Sequence, residues 1–252
     1  MRIGFTITTL FVLVLGTSSV AAQPVTQSSV LASRTTACTI SPGYTMADVA
    51  ATARAFEWSE DMAPAVVLMR NKVAASGGGG NFGPQFDFLI TSYYPSYTDM
   101  VEKRGAFLRS QAGRNGPRGL RGVATCNDNI AISSVRFATP PTGTPIPPLT
   151  AAATTLCELN GATVADAVAM AGGFEANWAN GATALVSSRS FGGPRRPINS
   201  SVGMMLSFPT FPEFGAAWDR LQQNPAAQDS ENPISCTTPS LWAQYLIHQG
   251  AN

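Results

Sequence analysis

Two carboxylates, Asp48 and Asp166, occupy matching places in a sequence that repeats itself. The stretch from Thr35 reads TTACTISPGYTMADVAATARAF and that from Thr154 reads TTLCELNGATVADAVAMAGGF. Each carries Thr-Thr-x-Cys, then Gly-x-Thr-x-Ala-Asp, then a Phe thirteen residues after the Gly. Twin carboxylates suit general acid and base work. They also suit a helix start: Thr45-x-x-Asp48 and Thr163-x-x-Asp166 are capping boxes, whose side chains take up free backbone N–H groups. The box accounts for the whole motif, which reads as a helix builder rather than an acid–base pair.

Other reactive patterns are sparse. Gly77–Gly80 followed by Asn81-Phe82-Gly83 resembles a phosphate cradle but lacks the Lys-Ser/Thr pair of a P-loop, and it joins two strands. Its counterpart, Phe191-Gly192-Gly193-Pro194-Arg195-Arg196-Pro197, occupies the same place in the second copy, so both read as hairpin connections. Arg114, Arg118 and Arg121 sit in an insertion, RNGPRGLRG, that the second copy lacks. They suit a solvated loop, an anion or an acidic partner. His248 is the single histidine. With no supporting motif it offers neither a Ser–His–Asp constellation nor a convincing haem ligand. The four cysteines lie too far apart for a zinc knuckle, so no metal and no cofactor is implied. Asn199-Ser200-Ser201 is a glycosylation sequon, meaningful only in a eukaryotic secretory pathway.

Aromatic and small polar side chains are the remaining candidates. Trp58 and Trp178 each follow the repeated Phe, and Asn177 precedes the second. Strand alternation turns Thr91, Tyr93, Met205 and Ser207 toward a shared interior. These seven residues are the expected ligand-binding set. Such a lining belongs equally to an apolar pocket and to an ordinary core.

The elements that must position them follow from the rest of the chain. Met1-Arg2, an apolar run from Phe5 to Leu15 and Val20-Ala21-Ala22 form an export signal over residues 1–22. Sixteen Lys plus Arg stand against fifteen Asp plus Glu. That balance gives no field to draw in nucleic acid, and no later segment suits a membrane once the signal is cleaved. Gln23 to Arg34 reads as a mobile lead-in. Thr139 to Leu149, TPPTGTPIPPL, holds five prolines in eleven residues. It divides one repeat over 23–138 from a second over 151–252 through a stiff linker over 139–150. In the first copy the pattern predicts strands at Thr35–Ile40, Ala65–Val73, Phe86–Tyr94 and Ala124–Phe137. A helix begins at the capping box, with Met46, Val49, Ala53 and Phe56 on one face, and another spans Ser96–Gln111.

That order, βαββαβ, is the ferredoxin-like unit. Its first and last strands are antiparallel neighbours, which brings the end of one beside the start of the other. Four cysteines permit three pairings. The repeat selects Cys38 with Cys126 and Cys157 with Cys236, one bridge per copy. Each closes a loop of roughly 80–90 residues, for which chain entropy suggests on the order of 4 kcal/mol. Pro239, inside the expected last strand, is tolerable only at an edge or bulge.

A lone unit leaves one sheet face bare. Phe88, Ile90 and Tyr94, with Val202, Met204, Leu206 and Phe208, turn toward the helices. The opposite face carries Asp87, Leu89, Thr91 and Tyr93, or Gly203, Met205 and Ser207, without the charges of a solvated surface. Here the chain resembles the dimeric α+β barrel superfamily, built as a tandem duplication in one chain. The resemblance implies an α+β fold of two ferredoxin-like repeats forming a pseudo-dimeric barrel, monomeric with internal symmetry. The leading expectation is an exported, periplasmic or secreted, disulfide-stabilised protein that binds a small hydrophobic ligand or is structural, and is not catalytic. The resemblance also admits a cofactor-independent monooxygenase acting on an aromatic substrate. The basic loop 114–121 admits a protein-interaction module.

Overall fold

The computed structural model describes residues 30–74, 86–110, 120, 122–139, 145–179, 181–192, 200–223 and 233–250. The first half runs β1 (Val30–Ile40), α1 (Met46–Arg54), β2 (Val66–Ala74), β3 (Phe88–Tyr94), α2 (Tyr97–Arg109) and β4 (Ala124–Phe137). The second runs β5 (Leu149–Glu158), α3 (Val164–Trp178), β6 (Thr183–Phe191), β7 (Ser201–Phe208), α4 (Phe211–Gln222), β8 (Ser235–Cys236) and β9 (Ser240–Gln249). Both halves are βαββαβ, the last strand of the second being split in two.

Local chemistry sets the helix starts. Thr45 Oγ1 accepts from the Asp48 N–H at 3.3 Å while Asp48 Oδ2 accepts from the Thr45 N–H at 2.8 Å. Thr163 and Asp166 repeat this at 3.2 and 2.8 Å. Ser96 and Thr210 cap α2 and α4 in the same way with their hydroxyls. Both carboxylates of the repeated motif are thus engaged in caps.

Within each half the strands lie in the order last, first, third, second: β4-β1-β3-β2 and β9-β5-β7-β6. The halves then complete one another. β4 pairs with β6 and β2 with β9, so the last strand of each half joins the second strand of the other. With β5 paired to β7, eight antiparallel strands close a barrel, and the short β8 extends alongside β5. Closure removes the unpaired sheet edges that two free units would expose.

Side-chain alternation divides the apolar residues into inner and outer layers. Leu68, Leu89, Tyr93, Val135, Leu185, Met205 and Trp242 pack together inside the barrel. Outside, Met46, Val49 and Ala53 of α1 meet Met69 and Phe88, and Ala167 and Ala171 of α3 meet Val186 and Val202. Phe88, Ile90, Val202, Met204 and Leu206 therefore lie under helices, as their alternation predicts.

The disulfides link Cys38 to Cys126 and Cys157 to Cys236, the pairing that the repeat selects. Cys38 faces Cys126 directly across β1 and β4, and Cys157 faces Cys236 across β5 and β8. Two bridges of this kind belong to a chain folded in an oxidising environment.

Three expectations need correction. Val30 to Arg34 is not part of a mobile lead-in. It is the first part of β1, paired with β4 from Val30↔Arg136 to Arg34↔Ile132. Ala32 and Ser33 are buried there, because the fourteen-residue β4 needs a partner of comparable length. Second, Leu149 and Thr150 begin β5 within the expected linker, Thr150 buried against Gln244. Third, the final strand breaks at Pro239, between β8 and β9. Proline has no N–H to give a ladder, and here the ladder divides.

Candidate functional site

The seven expected ligand-binding residues divide into two groups. Thr91, Tyr93, Met205 and Ser207 occupy inward-facing positions of β3 and β7. Thr91 Oγ1 shares a hydrogen bond with Thr35 Oγ1 at 3.0 Å and accepts another from Arg70 Nη2. Arg70 Nη1 approaches Met205 Sδ at 3.3 Å. Ser207 Oγ accepts from Gln244 Nε2 at 3.0 Å, as does Thr150 Oγ1. Inside the barrel, neutral hydroxyls and amides and the Arg70 guanidinium thus form hydrogen bonds within an apolar shell.

Trp58, Asn177 and Trp178 stand elsewhere. Trp58 joins an outer aromatic cluster, its ring centroid 4.7 Å from Phe56 and 5.6 Å from His248. His248 reaches that side because β9 slips register between Leu246 and His248, a bulge that re-aims the side chain. Burial lowers the His248 pKa below 6.5, a hydrogen bond with the Pro64 backbone opposes that shift, and the Lys103 charge adds to it. Asn177 is exposed and donates to the Gly173 carbonyl within α3. Trp178 ends that helix, and its carbonyl accepts from Arg220 of α4 at 2.9 and 3.2 Å. The two tryptophans therefore do not meet in one site.

The apolar cavity lies between the helices and the sheet of the second half. It measures about 610 Å³, within the range of small-molecule sites. Met170 and Phe174 of α3 and Trp218 and Leu221 of α4 form one wall. Met204, Met205 and Leu206 of β7 form the floor, and Thr154, Thr155, Thr237 and Thr238 supply hydroxyls. Pro239 lines it too, so the split in the last strand is part of the opening. That split is held in shape by Thr237, whose N–H donates to the Leu156 carbonyl at 2.8 Å and whose Oγ1 accepts from the Leu156 N–H at 3.2 Å. Among the seven expected residues Met205 alone lines this space.

Two of the other lining residues, Trp218 and Leu221, belong to an apolar face of α4 that the sequence also marks. Phe211, Phe214, Trp218 and Leu221 fall at three- and four-residue spacing, the signal of one apolar helical stripe. Phe214 and Trp218 stack at 5.4 Å, and Phe208 meets Phe214 edge-on at 5.5 Å.

Chemically, the described lining of the cavity can bind and orient a ligand. Among the described residues no Asp, Glu, His, Lys or Arg lines it, and the one cysteine, Cys236, is spent in a disulfide. Among the described residues no cluster of His, Cys, Asp or Glu could hold a metal ion. Nor is any described helix long and apolar enough to cross a membrane. Residues 77–83 and 193–199, the three loop arginines Arg114, Arg118 and Arg121, and the export segment lie outside the described residues.

Against solved structures, the chain superposes on a Fusobacterium nucleatum protein provisionally called a monooxygenase. The TM-score is 0.52 at 10% identity, over 87% of this chain and 92% of that one. The fold is that of the dimeric α+β barrel. An anthrone oxidase-like protein matches with a TM-score of 0.48 at 12% identity, over 87% and 92% of the two chains. A chlorite dismutase from Candidatus Nitrospira defluvii matches with a TM-score of 0.41 at 9% identity, over 86% and 91%. No protein-family model and no curated protein matches the sequence. At such identities the shared feature is the fold, and function must be argued from the site.

Proposed function

We propose that this chain is an exported binding protein, periplasmic or secreted, that holds a small apolar molecule between α3, α4 and the sheet of its second half. The observation that carries the reading is the 610 Å³ cavity walled by Met170, Phe174, Met204, Leu206 and Trp218, with no titrating side chain among its described lining residues. Burial of a ring or alkyl chain against such walls supplies the affinity, and the threonine hydroxyls orient any polar end. Methionines adapt to irregular shapes, which suits a binder of related ligands. The disulfides and the sequence's export signal support the compartment.

The test uses the purified protein and N-phenyl-1-naphthylamine, a neutral probe whose emission rises in apolar surroundings. Saturable binding is expected, weakened about tenfold by Phe174→Ala, since a lost aromatic contact is worth roughly 1.5 kcal/mol or more. Unsaturable emission in the wild type, or affinity unchanged in Phe174→Ala with melting intact, overturns the reading. Oxygen uptake with an electron-rich aromatic such as 2-naphthol would replace binding by the oxygenase reading.

A further inference from the structure

A second cavity, of about 670 Å³, opens beside the start of α3 and has the opposite chemistry. Its lining includes Ser134 and Arg136 of β4, Ser188 and Ser190 of β6, and Thr163 to Ala165 at the helix start. Among the described residues no carboxylate lines it. Asp166, one residue beyond the lining, has its Oδ2 already accepting from the Thr163 N–H and Thr163 Oγ1 at 2.8 and 2.7 Å.

Three kinds of donor remain unspent. α3 is fifteen residues long, and of its first N–H groups only that of Asp166 is capped. The Val164 and Ala165 N–H groups are left at the positive end of the helix dipole. Arg136 is half-buried, with no hydrogen bond or ion pair among the described residues. Ser188 is only 6% exposed and lines the cavity, and its hydroxyl has no partner among the described residues. Its oxygen is not fully buried, so it opens onto the cavity and can meet a ligand there. Ser134 and Ser190, by contrast, are held by the Tyr97 hydroxyl, which fixes the cavity floor.

The duplication supplies an internal control. Matched through the registers of β1 with β4 and β5 with β9, Ser134 corresponds to Ala243 and Arg136 to Tyr245. The helix start is common to both halves, but the cation and one serine occur only in the second set. Capping alone therefore does not account for them.

We propose that this cavity is a phosphate-binding site. The Arg136 guanidinium, the Val164 and Ala165 N–H groups and the Ser188 hydroxyl converge on it from three elements. Donors from three directions suit a tetrahedral oxyanion better than a planar carboxylate. The volume leaves room for an organic substituent, so the ligand is either inorganic phosphate or a phosphate monoester. This site is separate from the apolar cavity, and neither assignment depends on the other.

Isothermal calorimetry with inorganic phosphate, phenyl phosphate and acetate at equal ionic strength tests it. Both phosphates should bind, and acetate more weakly. Arg136→Met should weaken phosphate about tenfold, and Ser188→Ala by a smaller factor. Ala165→Pro removes one donor at a position where a helix tolerates proline, so it should also weaken binding with melting unchanged. Tighter binding of phenyl phosphate identifies the monoester, and equal binding identifies the phosphate group alone. No heat with either phosphate up to about 10 mM, acetate binding as tightly, or Arg136→Met binding as the wild type does, each overturns the assignment.

Discussion

His248 shows how one side chain couples to its surroundings. Its imidazole sits against Trp58, Nε2 is buried without a partner among the described residues, and burial holds its pKa below 6.5. A base with a lowered folded pKa takes up its proton first in the unfolded chain. Its contribution to stability is therefore complete above about pH 6.5 and drains away as acid approaches the folded value. Denaturant midpoints measured from pH 7.5 down to 5 should fall over that window in the wild type. The same curve for His248→Gln should be flatter; an identical slope would show that other groups set it. The cap aspartates act in more acid solution. Hydrogen bonds from the Thr45 hydroxyl and backbone N–H lower Asp48, and the backbone and hydroxyl of Thr163 lower Asp166. The Thr and Asp of each box were legible because a cap is local chemistry. The fate of His248 was not, because it depends on a bulge that no spacing announces.

At the scale of elements, the join between β4 and β6 depends on one glycine. Gly192 follows β6 with φ near +76°, and a Cβ there would stand 2.1 Å from the Ile130 carbonyl oxygen. Backbone handedness and backbone contact both demand glycine. Gly192→Ala should therefore cost about 2–4 kcal/mol and lower the melting midpoint by about 5–10 °C, measured by circular dichroism. Gly173→Ala, in α3 with open space around its Cβ position, is the matched control and should melt as the wild type or slightly above. Element boundaries inside the repeat were largely legible. β4 spans Ala124–Phe137 as its pattern predicts, and α2 starts behind Ser96. The start of β1 was not, since Val30 to Arg34 is ordered by pairing with a distant strand rather than by its own composition.

The whole molecule holds together through strand pairs that the chain's own linker does not make. Both disulfides lie within a half, so the contacts between halves are noncovalent: β4 with β6, β2 with β9, and the shared interior of Leu68, Tyr93, Leu185, Met205 and Trp242. A protease site placed in the 139–145 connection and then cut should leave both halves eluting together from gel filtration at the size of the intact chain. Separation into two peaks without denaturant would show that closure of the barrel is not what binds them. The sequence alone determined the duplication, the βαββαβ order, the disulfide partners and which side of each strand is apolar, because repeats, alternation and caps are written along the chain. Only the tertiary structure decided where space is left. The expected inward-facing hydroxyls, Thr91 and Ser207, hydrogen-bond to Arg70 and Gln244 in the barrel, while the apolar cavity opens where Pro239 splits a strand beneath α3 and α4. A void is the residue of how side chains from distant elements fail to fill a volume, and no local pattern records that sum.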